Sequence, residues 1–277
     1  MINPLLSIIV PTKNSAVFLD ACIKSIKNQT YDNIEIIVVD NYSTDKTKEI
    51  AKKYTKLVFN KGPERSVQRN FGASKAKGEH LLFIDSDMEL TPRVAQDCVK
   101  IIKEQRIKNA DRKIGGIIIP EKSFGKGFWA QCKALERSFY EGVGWLEAAR
   151  FFPKNVFNES GGYDDSLVSG EDWDLSQRVE KKYQLGRIKS YINHNEGNLS
   201  LGTLLSKKMY YSKQLNSYSS KKINNLKTKQ QLSLIKRYEL FFSNPSKLFS
   251  NPLLGIGMLF MKTCEFAVGG IGYILRK

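Results

Sequence analysis

The chain predicts an α/β fold, with a mainly parallel central sheet flanked by helices and a mostly helical C-terminal tail. Three observations carry that reading. Over the first hundred residues short apolar runs alternate with polar, helix-compatible stretches; the runs are almost continuously apolar, as in strands covered on both faces; and the texture changes after Gly202.

Taken in order, residues 5–10 form the first strand and 16–28 the first helix. The pattern repeats as 34–39 and 44–54, then 57–59 and 65–76, then 81–84 and 92–104. Residues 114–119 read as a further strand, followed by a loop holding Gly125, Gly127, Phe128 and Trp129. Polar clusters at 161–164 and 170–174 precede a helix-like stretch at 175–183, and Tyr191-Ile192 signals another strand. In the tail, Leu201, Leu204, Leu205 and Met209 share one helical face beside Lys207, Lys208 and Lys213, with Tyr210, Tyr211 and Tyr218 as amphipathic rings. A lysine-rich stretch follows at 219–231. Residues 252–275 are strongly apolar, but Lys262 and Glu265 divide them into clean runs of nine and ten. A spanning helix needs about 20 predominantly apolar residues. An interfacial or re-entrant helix is expected, with the two charges paired at i, i+3; the alternative is a helix packed on the first domain or on a dimer partner. The expected division is therefore 1–199 and 200–277.

Charge follows the same division. The formal net charge is +16, and residues 200–277 hold thirteen Lys and Arg against only Glu239 and Glu265, leaving +5 for the rest. Four scattered cysteines and two distant histidines give no zinc-ligand spacing and no disulfide framework. The N-terminal residues show neither a basic flank nor a long apolar region, so a cytosol-facing protein with reduced thiols is expected.

Ligands of such sheets bind beyond the carboxyl ends of the strands. Three predicted strand ends carry polar groups: Thr12-Lys13-Asn14, Asp40-Asn41 and Asp85-Ser86-Asp87. An extended backbone projects residues i and i+2 to one side, so Asp85 and Asp87 can converge on a hard cation such as Mg²⁺ or Mn²⁺. The same residues also suit a simple turn into the next helix, and carboxylates at 171–174 suit helix capping.

Four features occur in order: 10–14 (VPTKN), 38–45 (VVDNYSTD), 83–87 (FIDSD), and 161–164 (GGYD) with 170–175 (GEDWDL). In this conjunction the chain resembles the family-2 glycosyltransferases of the GT-A fold, over roughly residues 5–195. The resemblance implies that Pro11, Thr12, Asn14 and Asp40 hold the nucleotide, and that Asp85 and Asp87 form the DxD motif, with Asp87 the more direct ligand of a divalent cation. Ser86 lies between them. It further implies that Asp172 is the base of a single displacement with inversion, with Glu171 beside it on acceptor or donor hydroxyls, and that Gly161 and Gly162 let backbone approach the donor sugar. Arg69 is placed to bond phosphate, or else is a solvated helix arginine. His194 is a third metal or diphosphate contact, or a structural hydrogen-bonder.

The implied partners are a nucleotide-diphosphate sugar, a lipid-linked or glycan acceptor and an anionic membrane surface, at the cytoplasmic face; an oligomer is also open. A polyprenyl-phosphate acceptor, as in dolichyl-phosphate mannose synthase, is the alternative within the class. The Gln-x-x-Arg-Trp motif of processive polymerases is absent, since 177–180 reads QRVE, which favours one sugar per encounter. Nucleic-acid binding through the basic tail is disfavoured, because no reading motif accompanies it. Nucleotidyl transfer needs a glycine-rich basic loop near the start, and residues 11–16 offer none.

Overall fold

The computed structural model describes residues 3–107, 112–222 and 225–274. Residues 223–224 of the lysine-rich stretch and the last three of the tail, with Leu275 at the end of the apolar run, lie outside the described residues. The first elements are β1 (Leu6–Thr12), α1 (Leu19–Lys27), β2 (Ile34–Asp40), α2 (Thr47–Lys52), β3 (Val58–Asn60), α3 (Arg65–Lys75), β4 (His80–Phe83), β5 (Met88–Leu90), α4 (Val94–Ile107) and β6 (Ile114–Ile118). There follow β7 (Glu121–Lys126), α5 (Phe128–Ser138), β8 (Ala149–Pro153), α6 (Lys154–Glu159), α7 (Glu171–Glu180), β9 (Gln184–Arg187) and β10 (Ile192–Asn198). The tail holds α8 (Leu201–Lys222), α9 (Leu226–Leu232), α10 (Leu234–Phe242), α11 (Pro245–Leu248) and α12 (Pro252–Ile274).

The chain forms two compact units. One comprises Met1–Pro120, Ala148–Asp165 and Glu171–Asn193, and is built on a seven-stranded sheet of order β3-β2-β1-β4-β8-β6-β9. The pairs β1/β2, β2/β3, β1/β4 and β6/β9 are parallel; β8 runs antiparallel to both β4 and β6. Successive strand residues serve opposite faces, as the pleat requires. Ile8, Val10, Val38, Leu82 and Phe151 enter one core; Ile9, Ile37, Val39, Phe83 and Phe152 enter the other. Both faces are covered, which is why these strands read as unbroken apolar runs. From β1 the chain steps outward through β2 to β3 and then returns to β4 on the other side of β1, so the strand order reverses beside β1. Helix α3 lies close over this region because Gly72 has no side chain. A Cβ there would sit 2.5 Å from Cγ2 of Ile9. Strand β8 was not anticipated: its apolar core is only Phe151-Phe152, and an antiparallel insertion is decided by long-range pairing.

The other unit comprises Glu121–Glu147, Ser166–Gly170 and His194–Lys277. The tail is thus joined by α5 and β7 from the middle of the sequence rather than standing alone from residue 200. The reason is visible in its core, where Cys132 and Phe139 of α5 and its C-terminal end pack with Leu204, Phe241, Leu248, Met258 and Met261. The two charges of α12 explain the rest. Lys262 Nζ lies 2.8 Å from Glu265 and 2.6 Å from Glu136, and Lys133 lies 2.8 Å from Glu136 and 2.9 Å from Glu265. Two lysines and two glutamates close a buried, formally neutral ring, and a buried charge is tolerable only when paired in this way.

Candidate active site

The carboxyl ends of β1, β2 and β4 meet where the strand order reverses. Asp40, the last residue of β2, is fully buried and accepts hydrogen bonds from Thr12 Oγ1 (2.8 Å), Ser43 N (2.7 Å) and Ser43 Oγ (2.6 Å). The Asn14 side chain accepts from Thr44 N at 2.9 Å, and Ser43 Oγ accepts from Asn14 N at 2.7 Å. Asp40, Thr12 and Asn14 thereby lock the loops after β1 and β2 together, beside Pro11, which is buried in β1. Ser86 Oγ donates to Ser15 Oγ at 2.8 Å, tying the Asp85-Ser86-Asp87 turn to the same β1 loop.

The organising group is Arg69. It is fully buried on α3, and its Nη1 donates to Asp172 Oδ1 at 2.9 Å and to Glu171 Oε1 at 3.1 Å, while Nη2 donates to Asp85 Oδ1 at 2.7 Å. Its Cζ sits 5.1 Å from the centre of the Tyr163 ring, within cation–π range. Arg69 is therefore not a solvated helix arginine; its guanidinium donates to three carboxylates. A planar fork with five N–H donors serves three acids in fixed directions, a geometry that a compact ammonium does not impose. Arg150 Nη1 lies 3.5 Å from Asp85, and Arg65 lies 3.6 Å from Glu171. Arg150 comes from the unanticipated strand β8; its only signal was a lone basic residue before Phe151-Phe152.

These neighbours separate the acids. Burial pushes the Asp85 carboxyl up, but Arg69, Arg150 and Arg65 outweigh it and hold that carboxyl well below the usual range. Glu171 goes the other way: burial first, then the charge of Asp172, push its carboxyl up against Arg65 and Arg69. Of the three acids on Arg69, Asp172 is the most open, its side chain 26% exposed against 15% for Asp85 and 5% for Glu171. Asp172 lies in the first turn of α7, where unsatisfied N–H groups favour an anion.

The two-glycine loop is also fixed within this unit. Gly161 and Gly162 have φ of 78° and 63°. Arg178 donates to the carbonyls of Ser160 and Gly162, and Asn70 both donates to Tyr163 O (2.7 Å) and accepts from Tyr163 N (2.9 Å). His194 belongs to the other unit, where Nδ1 is 3.6 Å from Glu121 of β7.

Among the described residues no group of three or more His, Cys, Asp or Glu is arranged to hold a metal ion. In the Asp-Ser-Asp turn Asp85 is engaged by two arginines, and Asp87 is the second carboxylate. One carboxylate with substrate phosphates and waters is a donor set that suits Mg²⁺ or Mn²⁺.

A seven-stranded sheet with this reversal, an Asp-x-Asp turn at its centre and an acidic helix start define a GT-A fold enzyme. The sequence model for "Glycosyl transferase family 2" matches residues 7–148, and the chain belongs to that family. It is 31% identical over 217 residues to the glycosyltransferase GlyG of Streptococcus pneumoniae, covering 70% of this chain and 69% of GlyG. It is 32% identical over 170 residues to TarP of Staphylococcus aureus, a poly(ribitol-phosphate) beta-N-acetylglucosaminyltransferase, covering 56% of this chain and 50% of TarP. Of other curated relatives the matched stretch is about a third of the length, 36% and 31%. Among solved structures, the mannosyltransferase PcManGT of Pyrobaculum calidifontis, in complex with GDP-Man and Mn²⁺, superposes over 100% of this chain and 88% of its own with a TM-score of 0.63 at 15% identity, a likeness of fold.

Proposed function

We propose that the chain is an inverting, metal-dependent glycosyltransferase, and that it moves one sugar from a nucleotide-diphosphate sugar to a lipid-linked or cell-envelope glycan acceptor at the cytoplasmic face of a membrane. The observation that carries the chemistry is Asp172, held 2.9 Å from Arg69 at the start of α7 and open to solvent. Its relative TarP is named for transfer to poly(ribitol-phosphate), which supports an envelope acceptor.

In this reading the loops joined by Asp40, with Pro11, Thr12 and Asn14, hold the nucleoside. Asp87 holds a Mg²⁺ or Mn²⁺ ion, which when bound supplies positive charge to the diphosphate oxygens as they leave. Arg69 holds Asp172 in place through their hydrogen bond. Asp172 takes the proton of the acceptor hydroxyl as its oxygen attacks the anomeric carbon, and the bond from that carbon to the diphosphate breaks with its electron pair going to the phosphate oxygen. Glu171, its carboxyl raised, is suited to hydrogen-bonding sugar hydroxyls. The backbone at Gly161 and Gly162 approaches the sugar.

The test is nucleotide release from UDP-, GDP- and dTDP-sugars, with and without chelator, against glycan and polyprenyl-phosphate acceptors. The expected result is turnover with one donor that chelator abolishes, and a loss of about 10²–10⁴-fold in Asp172→Asn. Turnover indifferent to chelator sinks the metal assignment. Full transfer by Asp172→Asn to a polyprenyl phosphate, an acceptor already ionised, moves the assignment to that alternative.

A further inference from the structure

The tail unit turns the charges of α12 inward and leaves its outer face apolar. Leu253, Ile256, Phe260 and Ile271 are 68%, 61%, 55% and 51% exposed, and they recur at helical spacing with Thr263, Ala267 and Gly270 between them, all exposed. From Leu253 to Ile271 the eighteen steps of helical rise make this stripe about 27 Å long. It carries no charge at all, because Lys262 and Glu265, which break the apolar run in sequence, are buried in the ring with Lys133 and Glu136. The segment Pro252–Gly272 has a mean hydropathy of 1.4 and the length to cross a bilayer, yet its inner face is engaged by α5 through those ion pairs. That leaves one face for lipid, which is the geometry of a helix lying in the interface.

The patch continues onto α10. The Tyr238 hydroxyl lies 2.6 Å from Thr263 Oγ1 on the stripe, and its ring meets Phe266. Leu234 and Phe242, one helical turn either side of Tyr238, are 49% and 52% exposed. Of the fourteen large hydrophobic side chains exposed among the described residues, ten fall from Leu226 to Ile271, so the exposure is concentrated and not scattered. The surrounding charge selects the occupant. Residues 200–277 carry a net +11, and both acids are already paired, Glu239 with Lys236 at 2.7 Å and Glu265 within the buried ring. Two such faces repel each other, whereas anionic headgroups attract the lysines while the acyl region takes the stripe.

We infer that the outer face of α12, extended by Leu234 and Phe242 of α10, docks on a bilayer bearing anionic lipid. This deepens the membrane-surface reading above and rests on it for the location of the acceptor, but vesicle binding is measured without donor or acceptor. The experiment is flotation of the full chain with phosphatidylcholine vesicles, with and without phosphatidylglycerol, at low and high salt. The expected result is flotation with anionic vesicles that weakens with salt, and a loss of about tenfold or more in the double variant Ile256→Glu/Phe260→Glu. Both positions are exposed, so thermal denaturation and donor hydrolysis in vesicle-free buffer are expected to be unchanged and report that the fold is intact. Undiminished vesicle binding by the folded double variant overturns the inference. So does a wild-type dimer that binds no vesicle and that the same substitutions dissociate, which assigns the face to a second copy. Wild-type flotation without turnover on any donor refutes the functional reading and leaves the docking face standing.

Discussion

Replacing Arg69 by Met removes the group on which three carboxylates converge while nearly conserving side-chain length. The loss includes hydrogen bonds of 2.7, 2.9 and 3.1 Å to Asp85, Asp172 and Glu171. Removing one partner of a buried pair costs about 3–5 kcal/mol, because the charge left behind stays desolvated. Two features place this case at the lower end: Arg150 and Arg65 remain within 3.6 Å of Asp85 and Glu171, and Asp172 is open enough to hydrate. About 3 kcal/mol corresponds to roughly 6–12 °C in Tm for a chain of this size. The pH dependence gives a second, independent reading. In the wild type Asp85 is held below its ordinary value of 3.8, so the stability it contributes is fully present above that pH and is lost as pH falls below it. In the variant the burial of Asp85 faces less opposition and its carboxyl rises, so acid relieves it. The difference in Tm is therefore expected to be wide at neutral pH and to narrow towards pH 4. Arg69→Lys keeps the charge but not the fork, and is expected to fall between the two. Thermal scans over that pH range check all three statements. A Tm within about 2 °C of wild type at neutral pH, or a difference that does not change with pH, refutes the role of Arg69 as the hub of the acids.

Two further outcomes follow from the same geometry. Burial, with Lys262 and Lys133 nearby, pushes the Lys208 ammonium down to about 8 against Glu265 and Glu136. Its charge thus costs stability below that pH and the cost is relieved as pH rises towards the ordinary 10.5, so Lys208→Met is expected to raise Tm at pH 7 by an amount that shrinks across that window. Gly161→Ala and Gly162→Ala both place a side chain at positive φ, costing about 1–2 kcal/mol, but only at Gly162 would the new Cβ lie 2.7 Å from Asn70 Oδ1. Gly162→Ala is expected to show the larger drop in both Tm and kcat/KM, since it displaces the side chain that fixes Tyr163; equal losses from the two would show that Asn70 does not anchor the loop.

Strands β1, β2 and β4 were legible because each is largely buried on both faces, and such strands announce themselves without reference to partners. Strand β8 was not, since two phenylalanines make a strand only when β4 and β6 flank them. Arg150 was missed for the same reason. The acids were legible by type and position, but the burial of Arg69 and its pairing with three of them were not. What decided was Gly72, which lets α3 close on Ile9 and carries the arginine out of reach of water.

The tail shows the same limit from the other side. In sequence, Lys262 and Glu265 interrupt an apolar segment; in the fold they vanish from its surface because α5 supplies Lys133 and Glu136. By itself the sequence determined the doubly covered strands, the order of the motifs and the charge of each segment, since these depend on local hydrophobic period and residue type. Which acids share an arginine, and which face of the last helix stays exposed and uncharged, only the tertiary structure decided, because a charge acquires its energy from the groups that long-range packing places beside it.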